Sequence, residues 1–275
     1  MTRPARSESM LRFVCAALLS FLPLSAWVLA GQGQTRGRAA FEAFLQWKEK
    51  ADNAKLKWNE ALENYRSKLK SDGLSDAAAE SVIRLVVAYD EAELYDQVYS
   101  GQPKFNTKPN DFLVRAVEGI APGDALDVGM GQGRNSIFLA RKGWKVTGFD
   151  VSEVGLRKAR AEAAHLGLPV NAVHAADEEF DFGKNRWDLI AIIYAIEKHS
   201  VYRVRNALKP GGVVVVVASH IAPGGYPFGY ESGELQKIFT GFRILKYEEE
   251  LGVPDFGTGR NTREPLVGIV AQKPR

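Results

Sequence analysis

The sequence predicts an α/β domain, a parallel sheet with helices on both faces, preceded by a helical arm. Three observations predict it. From residue 111 onward, short apolar runs alternate with helix-length segments, and the run 187–194 is almost continuously apolar, as in a strand buried on both faces. A glycine-rich stretch at 129–133 stands between an apolar strand and a helix. Residues 39–70 are instead rich in Ala, Glu, Lys and Leu, with apolar side chains mostly three or four apart.

The chain has 275 residues, 45% hydrophobic and 25% charged, which fits a globular protein with a sizeable core. The formal charge is +3, and Arg3, Arg6 and Arg12 against Glu8 account for +2 of it. The near-neutral remainder gives no reason to invoke nucleic acid. Cys15 is the one cysteine, so the rest of the chain has no disulfide, thiolate metal site or cysteine nucleophile.

The arginines precede an apolar run over 13–30, which Pro23 interrupts. Val28-Leu29-Ala30 offers a small residue for cleavage before Gly31, and Leu24-Ser25-Ala26 a weaker site. The expectation is an export signal, periplasmic or secreted, or an uncleaved anchor; membrane contact is expected only through 13–30. Residues 31–38 read as a polar, glycine-rich linker. The spacing of Phe41, Leu45, Ala54, Trp58, Leu62, Tyr65 and Leu69 predicts one helix over 39–70, ended by Ser71-Asp72-Gly73. A second helix is expected from Ser75 or Asp76 to about Tyr99. The α/β pattern then predicts helices at 112–120, 135–142, 153–166 and 200–208. Strands are predicted at 125–128, 144–149, 169–174, 187–194, 213–218, 242–250 and 266–272, the last two joined by a loop.

Leu126 to Asn135 is the most informative stretch. Ligands in such folds sit at the carboxyl ends of the strands, and glycines let the backbone approach them. Asp150 ends the next strand, 21 residues after Gly129, where an acid can accept hydrogen bonds from both ribose hydroxyls. A dinucleotide fingerprint needs a glycine three after Gly131, and Arg134 stands there. Asp127 would oppose a pyrophosphate and suits the ammonium of a bound amino acid. An ordinary strand-to-helix turn is the bland alternative.

Asp127-x-Gly129-x-Gly131-x-Gly133, with Asp150 and Lys209-Pro210-Gly211-Gly212, resembles the class I S-adenosylmethionine-dependent methyltransferases. Gly131-Gln132-Gly133-Arg134-Asn135-Ser136, Gly143-Trp144 and Gly148-Phe149-Asp150-Val151-Ser152 are similar to the small-molecule branch that includes tellurite-resistance-type enzymes. The resemblance covers about residues 95–273. It implies a Rossmann-like, doubly wound, seven-stranded sheet with the last strand antiparallel. It also implies S-adenosylmethionine as cofactor, with Gly129, Gly131 and Gly133 on its methionine half, Asp127 near its amino group, Asp150 at the ribose and Asp177 at the adenine amino group, Glu178 beside it. Asn135 and Val151 join the same cofactor-binding set. Tyr95-Asp96-x-x-Tyr99 and 105–110 resemble the segment that closes over the cofactor; Tyr99 either does so or packs its helix on the core. The expected division is 1–30 signal or anchor, 31–109 linker and arm, and 110–275 methyltransferase domain.

Methyl transfer from a sulfonium needs alignment and exclusion of water, and a base only if the acceptor arrives protonated. Tyr194, Glu197 and His199 follow the fourth strand; His199 is the first candidate base and Tyr194 the second catalytic candidate. His220 competes with His199, while His165 and His174 read as structural. The loop 224–230, Arg260 and Arg263 are further acceptor-side candidates. Ile193-Tyr194-Ala195-Ile196 departs from the motif of amino-methylating DNA and glutamine enzymes, and the missing cysteines disfavour arsenite, leaving a small-molecule acceptor. The rival readings are a non-catalytic cofactor-binding protein whose arm serves a partner, and a nicotinamide-dependent oxidoreductase.

Overall fold

The computed structural model describes residues 36–101, 105–195, 198–221, 229–257 and 262–275. The expected export segment and most of the expected linker lie outside them. The arm consists of α1 (Arg36–Lys48), α2 (Trp58–Ser71) and α3 (Asp76–Ser100). The expected single helix over 39–70 is thus two helices. Asp52 and Asn53 have turn chemistry: the amides of Asn53 and Ala54 donate to Lys50 O, and Asn53 Nδ2 donates to Trp47 O at 3.0 Å. Folding back brings Phe44 edge-on to Trp58 and Tyr65, each with ring centroids 5.2 Å away. In one straight helix Phe44 and Tyr65 would lie about 30 Å apart. The linker expectation also shortens: helix begins at Arg36, and Gly37 is buried against α3. Ser75 caps α3, accepting from Ala78 N.

After α4 (Asp111–Ala116), the chain alternates through β1 (Asp124–Val128), α5 (Arg134–Arg141), β2 (Lys145–Asp150), α6 (Glu153–His165), β3 (Val170–His174), β4 (Trp187–Ile193), α7 (Lys198–Ala207) and β5 (Leu208–Ser219). A short α8 (Glu234–Ile238), β6 (Arg243–Gly252) and β7 (Glu264–Gln272) complete it. The seven strands run in the order β3-β2-β1-β4-β5-β7-β6. The pairs among β1 to β5 are parallel, and β7 is antiparallel to both β5 and β6. Chain order reverses between β1 and β4, so the crevice of this fold opens at their carboxyl ends.

Successive β4 and β5 residues point to opposite faces. Ile190, Ile192, Val214 and Val216 enter one core, and Leu189, Ala191, Val213 and Val215 the other. Helices cover both faces, which explains the unbroken apolar runs. Lys209-Pro210-Gly211-Gly212, expected to precede the fifth strand, opens it instead, with a register shift opposite Trp187 and Leu189. Lys209 Nζ donates to Asp124 and Asp188 at 2.9 and 2.7 Å, tying β1, β4 and β5 at their amino ends, away from the crevice. Helix α8 falls in a stretch to which the sequence assigned no element. Five residues are too few for a periodic signal, yet Leu235 and Ile238 are buried in the core.

Candidate functional site

The crevice is floored by the turn from β1 into α5. Gly131 has φ +52°, and a Cβ there would stand 2.4 Å from the Tyr99 hydroxyl. Gly129 has φ +65°, and its missing Cβ would fall 2.4 Å from Ala195 Cβ. Side chains are excluded twice, by backbone conformation and by space. The backbone is therefore bare along this turn, with Tyr99 and Ala195 close against it.

Two carboxylates flank this floor. Asp127 is 1% exposed and accepts from Ser136 Oγ at 2.7 Å. Burial pushes its pKa up to about 6, against the Ser136 hydrogen bond and the nearby Arg134 charge. Asp150, at the end of β2, accepts from Gly131 N and Ser152 N, both at 2.8 Å. Burial raises its pKa too, and the two amides oppose that shift. Each carboxylate oxygen keeps acceptor capacity beyond these bonds.

The remaining expected cofactor residues divide between floor and arm. Val151 packs among the arm's apolar side chains, and its carbonyl meets His174 Nε2 at 2.9 Å. Glu178 is ion-paired with Arg84 of α3 at 2.6 Å. Asp177 Oδ1 accepts from Glu178 N at 3.0 Å, and its carbonyl from Arg203 at 2.5 Å. Neighbouring Glu179 accepts from Gly37 N at 2.7 Å and the Tyr89 hydroxyl at 2.8 Å. The segment after β3 is thus held by α1 and α3. Asn135 is buried, and its Oδ1 accepts from Asn110 N at 3.0 Å, bracing the start of α4.

Tyr99 projects from the last turn of α3, stacked beside Tyr95 and tilted on Phe105 with centroids 5.0 Å apart. It packs on Phe105, and its hydroxyl faces Gly131. Tyr194 follows β4 with φ +53°, a conformation costly for a bulky residue. Its amide donates to Val217 O at 2.8 Å, and its ring meets Phe256 edge-on at 5.0 Å. Burial first, then the Asp255 charge, raises the Tyr194 pKa; burial first, then Asp150, raises that of Tyr99. Both phenols stay protonated at neutral pH.

His199 lies in the first turn of α7, and its side chain is outside the described set. Glu197, residues 224–228 of the glycine-rich loop and Arg260 also lie outside. His220 Nε2 sits 3.5 Å from Glu249, at the carboxyl end of β5. Arg263 donates to Leu251 O. Sequence reasoning named Asp96, Asn110 and Arg134 only as members of motifs, without these contacts, and missed Asp255 altogether. Asp96 Oδ1 accepts from Ser152 Oγ at 2.5 Å and from Val154 N at 3.1 Å, capping α6 from the arm. Arg134 had a signal, since it directly follows the third glycine. Asp255 lies in an irregular connection and had none.

The family described as "Methyltransferase domain" matches residues 125–212. The chain is 28% identical over 182 residues to hemagglutinin 1 of Eikenella corrodens, covering 61% of this chain and 60% of that protein. It is 27% identical over 169 residues to the probable S-adenosyl-L-methionine-dependent methyltransferase TehB of Haemophilus influenzae, covering 54% and 56% respectively. The crystal structure of TehB from Haemophilus influenzae superposes with a TM-score of 0.51 at 21% identity, over 66% of this chain and 67% of that one. At that identity the likeness speaks for the fold. The chain spans about half to three-fifths of the length of the first curated relatives it matches.

Proposed function

We propose that this chain, whose residues 125–212 match the family described as "Methyltransferase domain", is a class I S-adenosylmethionine-dependent methyltransferase similar to TehB and acting on a small-molecule acceptor. The observation that carries this reading is the buried Asp127 carboxylate beside a floor stripped of side chains. A buried anion there attracts an ammonium and repels a pyrophosphate. The residues present therefore fit an amino-acid-bearing nucleoside better than a dinucleotide. Asp127 would hold the amino group, Gly129, Gly131 and Gly133 would admit the methionine half, and Asp150 would take the ribose.

S-adenosylmethionine supplies a methyl group activated on a sulfonium. The protein's contribution is alignment and dryness. Tyr99 and Tyr194 wall the crevice with protonated phenols, one over Gly131 and the other at the end of β4. No base is required for an acceptor that arrives with a free lone pair; for one that does not, His199 and His220 remain the histidines nearest the carboxyl ends of β4 and β5. The rival reading of a partner-binding arm loses its motive, because the stripe through Trp58 packs against Phe44 and the rest of the arm core.

Calorimetric titration of the full chain with S-adenosylhomocysteine, and separately with NAD, tests the proposal. Micromolar binding of the first alone supports it. Binding of NAD alone, or of neither, overturns it. Export through residues 1–30 is a separate proposal, supported by the three-part layout of that segment. A compartment-sensitive reporter fused after Arg275 that works only in the cytoplasm would refute it.

A further inference from the structure

Two segments far apart in sequence meet above the crevice. One is 105–110, between α3 and α4. The other is 253–257, which leaves β6. Phe105 bridges to Gly257, and Asn106 N donates to Phe256 O at 3.0 Å. Contacts then run in a closed circuit. Gly131 lies under Tyr99, Tyr99 packs on Phe105, Phe105 pairs beside Phe256, Phe256 packs on Tyr194, and Ala195, next in the chain, lies against Gly129. The two glycines of the floor are the ends of this arch.

Asp255 joins the pieces. Its Oδ1 accepts from Arg134 Nη2 at 2.9 Å, and its Oδ2 from Asn110 Nδ2 at 3.0 Å. Its carbonyl accepts from Arg134 Nη1 at 3.2 Å, and the same Nη1 donates to Lys108 O at 3.1 Å. Its backbone also hydrogen-bonds the Tyr194 hydroxyl. Arg134 directly follows Gly133, so one carboxylate links the floor to both roof segments, and the backbone of the same residue adds the wall. The pair is shielded: Arg134 is 13% and Asp255 27% exposed. Such charge-assisted bonds are strong enough to hold a roof, yet one edge stays open to water.

We propose that Asp255 is a positioning residue that latches this roof through Arg134 and Asn110, closing the crevice over bound cofactor. The proposal rests on the cofactor reading above. A latched roof keeps water from the reacting methyl and fixes Tyr99 and Tyr194 on either side of it. Ligand exchange then requires the Asp255–Arg134 pair to part, as lid opening does in many enzymes.

The test is the dissociation rate of S-adenosylhomocysteine from the immobilised full chain, measured by surface plasmon resonance for the native protein and Asp255→Asn. Release should quicken about tenfold, the change expected on losing one charge-assisted hydrogen bond, while the melting temperature stays within a few degrees. Phe256→Ala, which loosens the same roof through packing, should quicken release as well, and it decides the matter if Asp255→Asn does not fold. Unchanged release in folded variants overturns the latch. Tighter binding by Asp255→Asn also overturns it, and would mean that Asp255 competes with the ligand for Arg134. If the native chain binds no S-adenosylhomocysteine, the cofactor reading fails first and the latch falls with it.

Discussion

Asp127 is kept ionised at a cost. The folded protein holds its proton up to about pH 6, whereas an ordinary aspartate releases it near 3.8. The folded state therefore binds the proton more tightly than the unfolded chain. As far as this group is concerned, stability is greatest below pH 4 and falls as pH rises through 4 to 6. It stays lower by about 2–3 kcal/mol above that. An ammonium placed beside the carboxylate offsets this penalty, so S-adenosylhomocysteine affinity should weaken as pH drops below about 6. Asp127→Asn keeps an acceptor for Ser136 and removes the charge. Urea unfolding at pH 8 should show it more stable than the native chain by about 1–2 kcal/mol, while titration calorimetry shows weaker binding and no pH dependence near 6. Lower stability at pH 8 would mean that the charge is already compensated. Gly131→Ala tests the floor. The left-handed backbone alone should cost about 1–2 kcal/mol, and the new methyl must displace the Tyr99 hydroxyl. Binding at least about tenfold weaker is expected; native affinity would show that the ligand does not pass over this residue.

At the scale of elements, the arm and the segment after β3 behave as one unit. Gly37 is the clearest instance. Alanine ordinarily stabilises a helix over glycine, by about 1 kcal/mol in the interior and less in the first turn, where Gly37 stands. Here its Cβ would fall 2.1 Å from the Tyr89 ring, which is buried and hydrogen-bonded to Glu179, so it has little room to swing. Gly37→Ala should therefore destabilise the protein, by about 1–3 kcal/mol, reversing the sign that helix propensity predicts. Thermal unfolding measures it, and a higher melting temperature would show that Tyr89 yields freely. The same docking gives the acidic pair Glu178 and Glu179 its partners: Arg84, Tyr89 and the Gly37 amide.

At the scale of the molecule, the arm core includes Ala176 and packs against Val151, both beyond the boundary expected at residue 109. Removing the arm would uncover apolar surface and strip Ser152 and Val154 of the Asp96 carboxylate. The arm and the sheet should accordingly unfold together. Differential scanning calorimetry should give one transition with matching calorimetric and van't Hoff enthalpies. Two separated transitions would show that the arm folds by itself.

The order of strands and helices, the glycine floor and the two flanking acids were legible in the chain alone. The reason is that each depends on residues close in sequence: alternation along a strand, caps at a helix end, glycines in one turn. Residues 39–70 misled because an apolar stripe records which faces are buried and not whether the chain turns back between them. The Asp52-Asn53 turn could be weighed only once Phe44 was seen against Trp58 and Tyr65. Tertiary structure likewise decided what covers the crevice. Tyr99 and Phe105 belong to one stretch already singled out in the sequence, but Phe256 and Tyr194 come from two distant places in the chain, and Asp255 reaches Arg134 across 121 residues. Contacts of that separation leave no local pattern, because nothing near Asp255 in sequence needs it. Its partners become its neighbours only when β6 and β7 pair at the edge of the sheet and set their connection over the floor.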